Sequence, residues 1–268
     1  MELYLHGIGL CTEGLPNWST GRDVLAGGSP YRATEIIMAA SPLLPPAERR
    51  RTTDTIKLAM TVASEAVAQA GLRAEDTMAV FTSSSGDGKT ITAILEALAS
   101  TKREVSPTRF HNSVHNAPAG YWSIATRCRE ASTSICAHDY SFAAGLLEAA
   151  TRALAEQRPT LLVAYDLPYP PALAGCRTIA APFGTALVIS PHRSNTALAA
   201  LSIDVRQKPI AETALDDSAL EALRAGVPAA RALPVLTAVA RGEAQDTVIP
   251  YVAGSGVAIH VTPVMHAR

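Results

Sequence analysis

The stretch from Ser106 to Glu148, SPTRFHNSVHNAPAGYWSIATRCREASTSICAHDYSFAAGLLE, carries the reading of the fold. It lays out a loop, a helix of small residues, a short strand over Ser132 to Cys136, and a sharp turn into a second helix over Ser141 to Glu156. A strand-to-helix corner of this kind exposes one side chain, and the helix N-terminus behind it can lower a thiol pKa. The corner itself, Ala137-His138-Asp139-Tyr140-Ser141, contains no cysteine.

Outward from the corner, strands and helices alternate. Upstream, Glu2 to His6 alternates like a strand and Gly7-Ile8-Gly9 permits a tight turn. Pro16 to Pro46 is rich in loop residues. A helix begins near Thr53 or Asp54, with Ile56, Ala59, Met60, Ala63, Val67 and Ala70 at helical spacing and Gly71 as its stop. Met78 to Thr82 reads as a buried strand, Ser83 to Gly88 as a loop, Thr90 to Ala99 as a helix, and Tyr121 to Thr126 as a short helix. Downstream, Leu161 to Ala164, Thr185 to Ile189 and Ala199 to Val205 read as strands, and Leu220 to Ala225 as a helix closed by Gly226. Tyr251 to Val261 gives two strand pieces joined by Gly254-Ser255-Gly256. The pattern predicts an α/β protein with a largely buried sheet and no low-complexity linker.

Composition narrows the function classes. A chain of 268 residues supports a sizeable core, and 48% apolar against 18% charged residues describes a well-packed protein. A formal net charge of −1 provides no overall basic field for nucleic acid or an anionic membrane. No apolar run reaches membrane-span length, and the N-terminus lacks a secretion-signal pattern, so a cytoplasmic location is expected. The four cysteines, Cys11, Cys128, Cys136 and Cys176, are widely spaced, which predicts free thiols rather than a disulfide framework.

Four groups of residues could carry chemistry. Ser83-Ser84-Ser85-Gly86-Asp87-Gly88-Lys89-Thr90 follows a strand, opens a helix and ends like a phosphate-binding P-loop, but Ser83 stands where that motif needs glycine. Asp166 is the nearest downstream carboxylate for a magnesium ion. The basic run Arg49-Arg50-Arg51 reads either as a solvated helix entrance or as a phosphate contact. His111 and His115 lie four apart, yet Asn112, Asn116 and Pro118 indicate a loop, and no second close pair completes a metal site. Cys136 is the thiol nearest the corner, and as a nucleophile it would need His111 or His138 as base.

The residues also carry a family resemblance. His6-Gly7-Ile8-Gly9-Leu10 resembles the opening strand and turn of β-ketoacyl synthases, which have the thiolase fold. Asn116-Ala117-Pro118-Ala119-Gly120 is similar to their Asn-x-x-Ala-Gly helix start. Ser132 to Tyr140 sits where they run a strand into the catalytic cysteine, and Leu161-Leu162-Val163-Ala164 is similar to the strand after the nucleophile helix. The resemblance covers roughly residues 1 to 205 and rests on the order and spacing of short motifs. It is nearest to the short chain-length-factor-like homologues of aryl-polyene-type clusters.

That resemblance implies a single thiolase-like domain over 1–268, mostly an N-terminal-type half (1–205) with a reduced C-terminal segment (206–268). Counting back from Leu161 places Tyr140 at the family's cysteine position, and counting forward from Asn116 places Asp139 there. Neither can form an acyl thioester. The paired C-terminal histidines, or histidine and asparagine, of active synthases have no match, since His260 and His266 lack their Gly-rich context. The implied function is a catalytically silent, chain-length-factor-like subunit that pairs with a full-length β-ketoacyl synthase. The pair would elongate a polyene or fatty-acyl chain on an acyl carrier protein. The implied contact face comprises Phe110, His111, His115, Tyr121, Trp122, His138, Asp139, Tyr140 and Phe142. The alternatives are a small condensing or acyl-transfer enzyme using Cys136, and a P-loop-like nucleotide-binding protein. No cofactor or metal, nucleic acid or membrane span is expected.

Overall fold

Glycine spacing decides how the first strand meets the first long helix. Strand β1 (Glu2–Thr12) runs under a helix so closely that a Cβ on Gly7 would lie 2.1 Å from the Ala66 carbonyl oxygen, and one on Gly9 2.0 Å from that of Val62. Only glycine permits that approach. Leu3, Leu5, Ile8 and Leu10 all turn to the opposite face, although their parity changes midway. A bulge at His6, where Leu5 pairs with Ile189 and Gly7 with Val188, inserts the extra residue and restores the register.

A computed structural model describes residues 1–207 and 211–264. After β1 come helices α1 (Trp18–Leu25), α2 (Pro46–Arg49) and α3 (Asp54–Ala70), strand β2 (Met78–Thr82), and helices α4 (Gly88–Ala99), α5 (Pro107–Asn112) and α6 (Ala117–Thr126). Strand β3 (Ser132–Ile135) leads through a short turn to helix α7 (Ser141–Glu156) and strand β4 (Thr160–Asp166). Helix α8 (Pro171–Ala174) precedes strands β5 (Phe183–Ser190) and β6 (Ala199–Arg206). Helices α9 (Ser218–Gly226) and α10 (Leu233–Arg241) and strands β7 (Gln245–Pro250) and β8 (Gly256–Pro263) complete the chain.

The strands form one eight-stranded sheet in the order β3-β2-β4-β5-β1-β6-β8-β7. β3, β2 and β4 are parallel, and every other neighbouring pair is antiparallel. Alternation along β4 divides the core: Leu161, Val163 and Tyr165 pack with α3 and Trp122 of α6, while Leu162 and Ala164 face α7. The expected α/β, thiolase-like class is thus realised, with helices on both faces of a mixed sheet. Residues after 206 return to the same sheet as β7 and β8, and α10 packs beneath them.

Several local expectations change, first among them the tight turn at Gly7-Ile8-Gly9, which is continuous strand paired with β5. Trp18–Leu25, inside the stretch read as loop, is a helix capped by Asn17, whose side chain accepts from the Thr20 amide. His111 belongs to α5, capped by Ser106 with Pro107 in its first turn, so the segment from Phe110 is not all loop. α10 and β7 were not foreseen, and the hinge between the last two strands begins at Tyr251 rather than leaving it in a strand. His266 lies outside the described residues.

The C-terminal segment has its own electrostatic clasp. The buried Arg224 guanidinium donates to both Glu221 oxygens at 2.7 Å and to Glu212 at 2.8 Å. Hydrogen bonding from Arg224, against the opposing effect of burial, holds the Glu221 carboxyl down at about 2. Because the folded value is depressed, this contribution is present above the ordinary value of 4.5 and is lost as pH falls towards about 2. Denaturant melts of Glu221→Gln should therefore show a shallower loss of stability across that window than those of the parent. Gly9→Ala should destabilise the chain by about 3 kcal/mol or more through overpacking against α3. Gly120→Ala, on an open helix position, should be neutral or stabilising by up to about 1 kcal/mol.

Candidate functional site

The parallel strands β3, β2 and β4 end together, and the loops leaving them converge on Asp166. This carboxylate is fully buried at the end of β4. Its Oδ1 accepts from the Ser84 amide at 2.8 Å, the Ser84 hydroxyl at 2.7 Å and the Ser83 hydroxyl at 3.1 Å, while Oδ2 accepts from the Ala229 amide at 2.9 Å. Burial pushes the carboxyl above its ordinary range, and the four donors oppose that rise. Asp166 therefore serves as an internal anchor. The Ser83–Thr90 segment does not form a phosphate cradle as the sequence suggested, because the Ser84 amide faces Asp166 and the Gly86 amide donates to the Ser83 hydroxyl. Lys89 reaches instead to Asp54, at 2.8 Å.

The anchored loop receives two further contacts. His115 Nε2 lies 3.1 Å from the Ser83 carbonyl oxygen, and Cys136 Sγ donates to that of Ser84 at 3.4 Å. These two residues, distant in sequence, thus meet on adjacent carbonyls. Cys136 follows β3 rather than lying within it, and its side chain is exposed, unlike the buried Cys11 and Cys128. Among the described residues no histidine nitrogen hydrogen-bonds its sulfur.

The corner between β3 and α7 is held from behind. Ser141, buried, accepts from the Ala137 amide at 3.0 Å and donates to the His138 carbonyl at 2.7 Å. Thr82 of β2 donates to the Ser141 carbonyl at 2.7 Å. His138 takes a left-handed conformation, φ 53°, which is uncommon for a residue with a side chain and makes the sharp turn. Asp139 is engaged by Arg177 and, at 3.3 Å, by His138 Nδ1. Tyr140 ends the short turn before α7, at the helix N-cap, and is half-buried.

The remaining residues of the expected face separate into two groups. Phe110, His111 and Tyr121 line a cleft of about 460 Å³ with Val114 and Ile124, the His111 and Tyr121 rings meeting edge-on at 6.3 Å. Tyr121 is nevertheless a core side chain rather than a contact residue, 1% exposed, clustered with Leu44, Ile56 and Met60 and donating to Asn112. Trp122 and Phe142 are core residues on opposite faces of the sheet, so neither contributes to a contact surface. His260 pairs with Asp246 across β8 and β7, at the edge of the sheet remote from β3. No group of three or more His, Cys, Asp or Glu side chains suited to a metal occurs among the described residues.

The sequence reading passed over the outward face of α4. This helix buries Thr90 and Thr92 while Ile91, Leu95 and Leu98 point away from the core, Leu95 being 52% exposed. Six of the eleven exposed large apolar side chains among the described residues fall between Ile91 and Ile124, with Phe110 at 67%. The spacing 91, 95, 98 was visible as an apolar stripe, but sequence alone does not tell an inward stripe from an outward one. Next to this region β3 is an edge strand, paired only with β2. The opposite edge, β7, is covered: Thr213 bonds the Val248 amide and carbonyl.

A mixed sheet between helical layers, with a strand-to-helix corner beside the ends of parallel strands, defines a thiolase-like protein. The chain belongs to the β-ketoacyl synthase N-terminal domain family, whose description matches residues 18–245. It is similar over its whole length to a chain of the complex between the ketosynthase ApeO and its chain length factor ApeC from Xenorhabdus doucetiae. That match has 22% identity, covers 97% of this chain and 99% of that one, and has a TM-score of 0.73. A chain of the ishigamide ketosynthase/chain length factor matches at 13% identity, 99% and 100% coverage and a TM-score of 0.70. The module 6 ketosynthase of the bacillaene synthase from Bacillus subtilis 168 matches at 14% identity and a TM-score of 0.57, over 85% of this chain but 45% of that one. Comparison with curated proteins returned no match. No helix among the described residues is long and apolar enough to cross a membrane.

If Asp166 is the anchor, Asp166→Asn should fail to replace it, because an amide NH₂ would confront either the Ala229 or the Ser84 donors. A loss of about 2–4 kcal/mol in denaturant melts is expected, from buried donors left unpaired. Faster amide exchange at Ser84 and Ala229 should accompany it.

Proposed function

We propose that this chain is a catalytically silent, chain-length-factor-like subunit that pairs with an active β-ketoacyl synthase. The carrying observation is the inverted helix α4. Thr90 and Thr92 face inward while Ile91, Leu95 and Leu98 face out. α4 packs on α5, which carries the exposed Phe110, and α6, which carries Ile124, packs on β3, an edge strand. A contiguous apolar surface of several hundred Å² is uncommon on a monomer, and its burial contributes on the order of 25 cal/mol per Å² before association costs. The β3 edge carries no charge or proline that would discourage strand pairing. The partner is a protein of the same fold, with a complementary apolar helix face and its own reactive cysteine.

Silence is supported by the corner. Asp139 and Tyr140 cannot carry an acyl thioester, and Asp139 is committed to Arg177 and His138. Cys136, the nearby exposed thiol, lacks a bonded base. In this reading the cleft lined by Phe110, His111, Val114, Tyr121 and Ile124 closes one side of the space in which the partner's acyl chain grows. Bulk at that cleft would then set product length, on a chain delivered by an acyl carrier protein.

Co-expression with a full-length ketosynthase from the same cluster, followed by size exclusion with light scattering, tests the reading. A 1:1 complex that elongates acyl chains is expected. Its activity should survive Cys136→Ala in this chain and vanish when the partner's cysteine is replaced. Leu95→Asp with Leu98→Asp should abolish pairing while leaving the isolated chain's stability within about 1 kcal/mol, since both side chains are already exposed. A chain that ignores the ketosynthase and is itself acylated at Cys136 would overturn the proposal in favour of a small acyl-transfer enzyme.

A further inference from the structure

Two sequence features remain outside that function: the basic run before α3 and the Gly-Lys-Thr at the start of α4. The fold brings them to one place. Arg50 and Arg51 from the first, Lys89 from the second, and Arg109 from α5 line a single cleft of about 500 Å³. Four cationic side chains there face two carboxylates, Asp54 and Asp87. Both carboxylates have internal duties. Asp54 accepts from Lys57 at 3.2 Å and from Lys89 at 2.8 Å. Asp87 caps α4 by accepting from the Thr90 amide at 2.9 Å, and its other oxygen is buried. Arg51 is held at 3.2 Å by Glu48, which lies outside the cleft lining. Arg50 and Arg109 have no carboxylate partner among the described residues, and both are exposed.

We propose that this cleft binds a phosphate ester. In a chain of net charge −1, a lining of four cations and two carboxylates carries a formal excess of two positive charges, which low-dielectric walls strengthen. Guanidinium groups suit the task because their planar forks bind phosphate oxygens two at a time, and a lysine adds a compact point charge. Thr53, Thr55 and Thr108 also line the cleft and supply neutral hydroxyl donors. The mode differs from a P-loop. The Ser84 amide is turned to Asp166 and the Ser85 and Gly86 amides to the Ser83 hydroxyl, so recognition is by side chains drawn from separate segments. Lys89 has its nitrogen on Asp54, and an incoming phosphate can share that ammonium without displacing the aspartate, since a lysine offers three donors.

The test uses the isolated chain, so its result is independent of whether a ketosynthase pairs with it. Inorganic pyrophosphate, titrated by calorimetry at low ionic strength, should bind saturably at one site per chain and weaken as salt rises. Arg50→Ala combined with Arg109→Ala should raise the dissociation constant at least tenfold. Arg129→Ala, an exposed arginine before β3 at the other end of the strands, should leave it unchanged. Two sources of the same phosphate ester are then compared, coenzyme A and the prosthetic arm of a holo acyl carrier protein. Binding of coenzyme A alone assigns the cleft to a free phosphorylated ligand. Tighter binding of the holo than the apo carrier, lost in the double variant, assigns it to the carried arm. No pyrophosphate binding at millimolar concentration, or binding that the Arg50/Arg109 pair does not affect, overturns the proposal.

Discussion

One buried carboxylate ties together parts of the chain that are far apart in sequence. Asp166 ends β4, fixes the loop after β2 through Ser83 and Ser84, and holds the segment before α10 through the Ala229 amide. Placing an unsolvated carboxylate in a core costs several kcal/mol unless donors surround it. Four do. The same loop then offers its carbonyls to His115 and Cys136, so the position of the β3 end and of the α5–α6 connection is referred to the same group. Through Ala229 the C-terminal segment becomes part of that arrangement rather than an appendage, and the Arg224 clasp fastens its other side.

Much of the fold was legible because the signals were local. The Thr53 cap and Gly71 stop of α3 and the apolar run of β4 are each readable from a few neighbouring residues. The corner before α7 was placed within a residue for the same reason. Gly7 and Gly9, which suggested a tight turn, lie instead within a continuous strand and serve the close approach of α3. What was missed depended on tertiary context. Trp18–Leu25 is short and flanked by turn residues, and its single buried stripe is too brief to register as a period. β7 alternates in burial, but its inward pair is Thr247 and Ile249, so its sequence shows no apolar alternation. Trp122 and Phe142 were assigned to a surface because aromatic type does not report direction; their burial on opposite faces is a property of the sheet between them.

The outward stripe of α4 shows the limit most clearly. Helical spacing of Ile91, Leu95 and Leu98 fixes the period of an amphipathic helix but not its orientation. Orientation is decided at its start, where Asp87 caps the helix and Thr90 and Thr92 are drawn inward, Thr92 bonding back to the Gly88 carbonyl. The residues that begin the helix therefore determine that its apolar side is left bare. A surface created in that way is a consequence of the loop anchored on Asp166, not an accident of composition.

That coupling gives the cationic cleft and the apolar face a common origin. The turn that directs Lys89 and Thr90 into the cleft with Arg50 and Arg109 is the turn that points Ile91 and Leu95 away from it. Adjacent residues on a helix lie about 100° apart, so one helix presents polar recognition on one side and an apolar partner surface on another. A ligand that shares the Lys89 ammonium with Asp54 would act on the first turn of the helix whose later turns carry the proposed interface. If both proposals hold, any change that occupation of the cleft makes in the affinity for a second subunit must appear, by reciprocity, as an equal change in the affinity of the cleft for its ligand.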